Sequence, residues 1–274
     1  MAAHLYSEPI QAGAQPPARW LAIAHGIFGS GSNWRSVARK LVEKRPDWGV
    51  ALLDLRQHGR SEGGDPPHDL ASCAADVHIK TLELARQKMP VEAIAGHSFG
   101  GKVALALRSA APRGLRQTWI LDASPSARPG ALADPRNSVG RVLALLERLP
   151  KQWKRREDFT NAVIADGHDA TLAGWLALNL TRDTFKLQLD LGAIRQMLED
   201  YYARDLWRAV EMGTLPGDLE AVIATRSNAV SEADGARLAA AGSHVHVHRV
   251  EGGHWLNVDA PAAMVDLFAR RLPA

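Results

Sequence analysis

The sequence predicts an α/β fold: a mostly parallel central sheet with helices on both faces and one helical stretch inserted into it. Three observations carry this expectation. Apolar runs of strand length recur along the chain, and they are continuous rather than alternating, as strands covered on both faces are. Stretches of helical periodicity separate them, the order that produces parallel pairing. The alternation then stops between about Ala127 and Pro216, where helical spacing persists through Trp153, Trp175 and Trp207 with no convincing strand.

Taken in order, residues 4–10 read as a short first strand, and Trp20–Ala24 as the next. That run closes in His25-Gly26-Ile27-Phe28-Gly29-Ser30, after which Ser32 or Asn33 caps a helix to about Lys44. Val50–Leu55 is the third strand; Asp54 at its end braces the turn of Arg56 and Gly59. Residues 69–89 are helical and contain Cys73 as a small packed residue. Val91–Ala95 is a buried strand that ends abruptly in Gly96-His97-Ser98-Phe99-Gly100, with a helix over Lys102–Ala110. Thr118–Leu121 ends at Asp122, Leu219–Ala224 follows the helical stretch, and residues 244–250 form the last strand. The expected division is a core of 1–126 and 217–274 and a helical cap, or lid, of 127–216 inserted after the strand that ends at Asp122.

Composition removes several function classes. A formal charge of +3 over 274 residues, with no basic stripe interleaved with aromatics, argues against nucleic acid as a partner. The cluster Lys151–Arg156 reads as a solvated face. A single cysteine excludes an intrachain disulfide and points to a reducing, cytoplasmic compartment. No signal peptide or membrane-spanning run is expected, and nothing in the sequence specifies an oligomer.

The chemistry is read from the sharp turn at Ser98. A strand, a G-x-S-x-G bend and a helix force unusual dihedrals on the central residue, so its neighbours must carry little side chain; Gly96 and Gly100 meet that need. Ser98 is thereby lifted into the open beside the start of a helix, where negative charge is favoured. A serine nucleophile requires a base, an orienting acid and donors for the oxyanion. His254, in a Gly-Gly loop after the last strand, is the expected base. His25 and His58 belong to glycine turns, and His97 points away from the chemistry. His4, His68, His78 and His168 have no supporting context. His244, His246 and His248 alternate along a strand, but no carboxylate or cysteine completes a metal set in the sequence, so no metal and no cofactor are expected. The oxyanion donors are the backbone N–H of Phe99 and of Ile27, with Phe28 as fallback. The acid is Asp122, because a parallel strand end next to the nucleophile is within reach of a histidine arriving from the last loop. Asp234 and Glu232 are the alternatives, since the loop Thr225–Ser231 carries no carboxylate.

Together these residues resemble the α/β-hydrolase superfamily and, more narrowly, small bacterial esterases of the YbfF type and their ABHD11-like relatives. The similarity rests on His25–Ser30, Asp54–Ser61, Gly96–Lys102, Asp122–Pro125 and Gly253–Trp255. It covers the core from about Trp20 to Arg270, and the inserted stretch only weakly, at Asn179-Leu180. The resemblance implies that an aspartate after the strand following the bend can serve as the acid, here Asp122, consistent with Asn228 where many relatives carry aspartate. The expected activity is a cofactor-free serine hydrolase acting on small carboxylic esters, short-chain ones first, through Ser98, His254 and Asp122. One alternative is C–C bond or lyase-type chemistry on a carboxylated metabolite gripped by Arg182 or Arg195. The other is a non-catalytic ligand-binding protein on the same scaffold.

Overall fold

A computed structural model describes all 274 residues. Seven strands, β1 (Ser7–Ile10), β2 (Arg19–Ala24), β3 (Trp48–Leu53), β4 (Val91–His97), β5 (Gln117–Leu121), β6 (Asp218–Ala224) and β7 (Val245–Val250), form one sheet in the order β1-β3-β2-β4-β5-β6-β7. Only β1 is antiparallel.

The strands are continuous apolar runs because both faces are covered. Alternate residues feed different cores: Leu21, Ile23, Val50, Leu52, Ala93, Ala95, Trp119 and Leu121 pack on one side. Trp20, Ala22, Ala51, Leu53 and Ile94 pack on the other. The first face is covered by α1 (Arg35–Lys44) and α11 (Pro261–Arg271), which supply Val37, Leu41, Met264 and Phe268. The second is covered by α2 (Leu70–Arg86) and α3 (Phe99–Ser109), through Val77, Leu84, Val103 and Leu107. Each large side chain taken fully out of water contributes about 1.5–3 kcal/mol before ordering entropy is charged. Cys73 is buried in α2, and burial pushes its thiol well above the usual range.

Three sequence expectations shift. The first helix does not start on a Ser32 or Asn33 cap. Gly31–Trp34 is a 3-10 turn, with Asn33 Oδ1 accepting from the Ser30 N–H at 2.7 Å, and the α-helix begins only at Arg35. The third strand stops at Leu53 because Asp54 turns inward and accepts from Gly31 N at 2.7 Å and Arg60 N at 2.8 Å. Asp54 thereby braces the turn of Arg56 and Gly59 as expected, while the Arg56 side chain reaches Asp76 on α2 (2.6 Å), both side chains fully buried. The last strand begins at Val245, so His244 is outside it and binds the Val210 carbonyl (2.8 Å).

Between β5 and β6 the chain adds five helices: α4 (Ser138–Arg148), α5 (Arg156–Ala165), α6 (Ala170–Leu176), α7 (Leu191–Ala203) and α8 (Trp207–Glu211). Two isolated bridges, Gln152 with Lys186 and Leu180 with Leu187, are the only extended pairing there. Asn137, Asp169 and Asp190 accept backbone N–H groups in the first turns of α4, α6 and α7, which defines their starts. Lys102 on α3 anchors the stretch. Its buried ammonium donates to the carbonyls of Ser126 (2.8 Å), Tyr201 (2.8 Å) and Arg204 (2.7 Å).

Candidate active site

Ser98 sits between β4 and α3 with φ 52° and ψ −112°, a conformation costing an L-residue on the order of 1–3 kcal/mol. The bend survives because its flanks carry no side chains. A Cβ on Gly96 would lie 1.9 Å from the Gly100 carbonyl oxygen, and one on Gly100 would lie 2.6 Å from those of Ala24 and His25. The Ser98 hydroxyl makes no hydrogen bond within the protein and lines two cavities, both of which His254 also lines.

Sheet register brings Asp122 to the same edge. His97 of β4 pairs with Leu121 of β5, so Ser98 and Asp122 are the next residues on adjacent strands, and Ser98 N–H donates to the Leu121 carbonyl at 3.0 Å. Asp122 has no exposed surface. Its Oδ1 accepts from Ala224 N–H (3.1 Å) and its Oδ2 lies 2.7 Å from His254 Nδ1. A carboxylate at Nδ1 holds the proton there and leaves Nε2 with its lone pair. His254 is about one-third exposed and follows β7 in the loop that opens α10 (Leu256–Asp259).

The rival acids are elsewhere. Asp234 lies in the first turn of α9 (Glu232–Ala240) and accepts from the hydroxyls of Ser124 (2.6 Å) and Ser126 (2.7 Å); Glu232 is exposed in the same turn. Arg195 pairs with Glu147 (2.6 Å), and Arg182 lines a separate groove on the far side of Phe28; neither lines a cavity containing Ser98.

The loop after β2 treats the two candidate donors differently. Phe28 adopts φ 62°, and its N–H donates to His58 Nε2 at 3.1 Å, so that donor is spent. The Ile27 N–H has no acceptor in the protein, and Ile27 lines both cavities. Phe99, first residue of α3, has no intrahelical acceptor for its N–H.

Three histidines dismissed on sequence hold this frame. His58 Nδ1–H donates to the Arg56 carbonyl (2.8 Å). His25 Nδ1–H donates to Gly26 O (2.7 Å) while its Nε2 accepts from Leu55 N–H (3.0 Å). His97 Nε2–H donates to the His254 carbonyl at 2.7 Å. Burial lowers all three, to about 4 for His25 and about 3 for His58 and His97, so each is a neutral, single-tautomer bridge. No sequence periodicity marks these roles, because each partner is brought in by a different loop.

The last two strands carry a second polar cluster, at the opposite end of the sheet. His246 and His248 share a face, and the carboxylates missing from their own stretch of sequence come from β6: His246 lies 3.6 Å from Asp218 and His248 2.5 Å from Glu220. Glu220 is fully buried, which raises its carboxyl, but the hydrogen bonds from His248 and Arg271 (2.7 Å) outweigh that and hold it below the usual range; Gln117 also donates to it (3.0 Å). Its oxygens are spent on the Arg271 guanidinium, the His248 ring and an amide, the signature of an internal ion pair.

The two cavities at Ser98 differ. One, of about 450 Å³, is walled by Val139, Val142, Leu172, Trp175 and Trp255, with the exposed Leu178 and Val258 at its edge. The other, of about 600 Å³, carries Arg128, Asn137, Tyr201, Tyr202 and Asn228.

Residues 21–267 match the model of the alpha/beta hydrolase family. The chain belongs to this family. It is 32% identical over 190 residues to an sn-1-specific diacylglycerol lipase ABHD11 of Xenopus tropicalis, covering 66% of this chain and 56% of that one. It is 32% identical over 105 residues to Esterase YbfF of Escherichia coli, covering 38% and 39%. The chain thus spans about half the length of the first curated relatives it matches. A marine microorganism esterase superposes with a TM-score of 0.82 at 21% identity, covering 99% of this chain and 100% of that one, which shows the shared fold. The hydrolase family and its esterase- and lipase-named members agree with the expectation from the motifs. No helix is long and apolar enough to cross a membrane.

Proposed function

We propose that this hydrolase cleaves carboxylic esters through an acyl-enzyme on Ser98. His254 Nε2 takes the hydroxyl proton as the oxygen attacks the ester carbonyl, then delivers it to the departing alcohol and afterwards activates water. Asp122 keeps the imidazole in the required tautomer and stabilises its charged form. The N–H groups of Ile27 and Phe99 receive the oxyanion, a contribution on the order of 3–4 kcal/mol per donor at such sites. The observation that carries this reading is the 2.7 Å link between His254 Nδ1 and a fully buried Asp122, beside a strained serine on the neighbouring strand end.

Residues 127–216 act as a cap over the core formed by 1–126 and 217–274. Its Val139, Val142 and Leu172 close the apolar cavity, which supports a short acyl chain there. Neither Arg182 nor Arg195 lines a cavity that contains Ser98, so those two arginines lend the carbon–carbon bond alternative no support. The test is an ester series of increasing acyl length on the wild type, Ser98→Ala and His254→Ala, with fluorophosphonate labelling of Ser98. Hydrolysis that both substitutions abolish, with a maximum at short chains, is expected. Labelling without turnover of any ester supports the ligand-binding alternative instead.

A further inference from the structure

Resting on the esterase reading, we propose that Arg128 is a specificity-determining residue that takes an anionic group of the substrate, a carboxylate or a phosphate, in the polar chamber beside Ser98. Four residues lining that chamber carry or can carry charge: Arg128, Asp134, Arg136 and His254. Asp134 and Arg136 neutralise each other through two hydrogen bonds, at 2.8 and 3.1 Å. His254 is turned to Asp122. Arg128 makes no ion pair, so the chamber holds one uncompensated cation beside the nucleophile.

An exposed arginine is ordinarily just a solvated side chain, and two observations set this one apart. Its backbone is pinned, the N–H donating to the Tyr202 carbonyl at 2.7 Å, and its guanidinium lies over the Tyr202 ring, 5.4 Å from the centroid. Stacking restrains the planar fork, whose only neighbouring acceptor is the Tyr201 hydroxyl and which has no carboxylate partner, the arrangement that suits bidentate recognition of carboxylate or phosphate. The surroundings add neutral donors and no unpaired acid, Asp134 being held by Arg136: burial pushes the Tyr201 phenol up to about 12, so it remains an O–H, and the loop opposite presents the amide of Asn228. The apolar cavity on the other side of Ser98 has no comparable cation. The two chambers therefore sort a substrate by its halves, an apolar arm on one side of the scissile bond and an anion on the other.

The test compares matched esters on wild type, Arg128→Gln and Arg128→Lys. One pair is a dicarboxylic acid monoester against its neutral diester; the other is a butyryl ester of a phosphorylated alcohol against that of the free alcohol. Binding of succinate and inorganic phosphate is measured in parallel by calorimetry. Wild type should favour an anionic member, and Arg128→Gln should lower kcat/KM for it by about tenfold to a hundredfold, mainly through KM. The neutral esters should stay within about twofold, with Arg128→Lys recovering part of the loss. The pair that responds identifies carboxylate or phosphate. Equal effects on neutral and anionic esters, or equal anion affinity in wild type and Arg128→Gln, overturn the proposal. Anion binding that depends on Arg128 with no ester hydrolysed overturns the esterase reading and leaves the anion site standing.

Discussion

Asp122→Asn separates the proposed acid from every rival, and its outcome can be worked from the coordinates. Asp122 Oδ1 accepts from Ala224 N–H at 3.1 Å and Oδ2 faces His254 Nδ1 at 2.7 Å. In the variant, the amide oxygen remains the only atom able to accept from Ala224, so the NH₂ is directed at the imidazole. A donor at that position requires Nδ1 to become an acceptor, which moves the ring proton to Nε2, where it can no longer receive a proton from Ser98. The expected loss in kcat is about ten-thousand-fold, or about 5.5 kcal/mol in the barrier. The volume is unchanged and the backbone bond is retained, so the melting temperature should move little. Single-turnover acylation with a chromogenic ester, alongside thermal unfolding, reads both quantities. Asp234→Asn is the control: it weakens two hydroxyl contacts, lowers stability by about 1–2 kcal/mol and leaves kcat within a few-fold. Near-full activity in Asp122→Asn with collapse in Asp234→Asn would falsify the assignment.

Other consequences follow from the same frame. His97→Ala removes the bond that fixes the His254 backbone and should lower kcat about tenfold to a hundredfold with KM little changed; unchanged kcat refutes that role. Gly96→Ala drives a methyl into the Gly100 carbonyl and should cost about 3 kcal/mol or more, visible as lost soluble yield or a lower melting temperature. Asp76→Ala leaves the buried Arg56 guanidinium unpaired, a loss of about 3–5 kcal/mol in denaturant unfolding. His25, His58 and His97 titrate lower in the folded chain than in the unfolded one. Their stabilising effect is therefore complete above about pH 6.5 and is lost as pH falls toward about 4 and then 3, where folded chains too take up the protons. His58→Gln should flatten the pH dependence of unfolding in that window by up to about 1.4 kcal/mol per pH unit, and an unaltered slope contradicts the neutral-bridge assignment.

The fold was legible in sequence wherever the cause is local. Continuous apolar runs located six of the strands to within two residues at either end, because burial on both faces demands them. The bend at Ser98 was legible because glycine spacing and strain are properties of adjacent residues. What escaped depends on distant segments meeting. The start of α1 moved because Gly31 is held by Asp54 across the sheet edge. Arg56 and Asp76 declare no partnership in sequence, since they meet only when α2 packs behind the loop. The preference for Ile27 over Phe28 came from the loop alone; that His58, thirty residues on, takes up the Phe28 N–H could not be read from spacing.

Three carbonyls converging on the Lys102 ammonium give the inserted helices a shared mounting point. Ser126 lies where the stretch departs from the sheet, and Tyr201 and Arg204 lie near where it returns, so one amine staples both ends to the helix that begins beside Ser98. The segment between behaves as a closed loop hung from a post. Inside the loop, Asn179 donates to the Phe28 carbonyl (2.8 Å) and Asp200 accepts from Leu70 N–H (2.9 Å), so cassettes swapped between Ser126 and Arg204 that keep those two residues would re-tailor the chambers while the edge at Ser98 keeps its geometry.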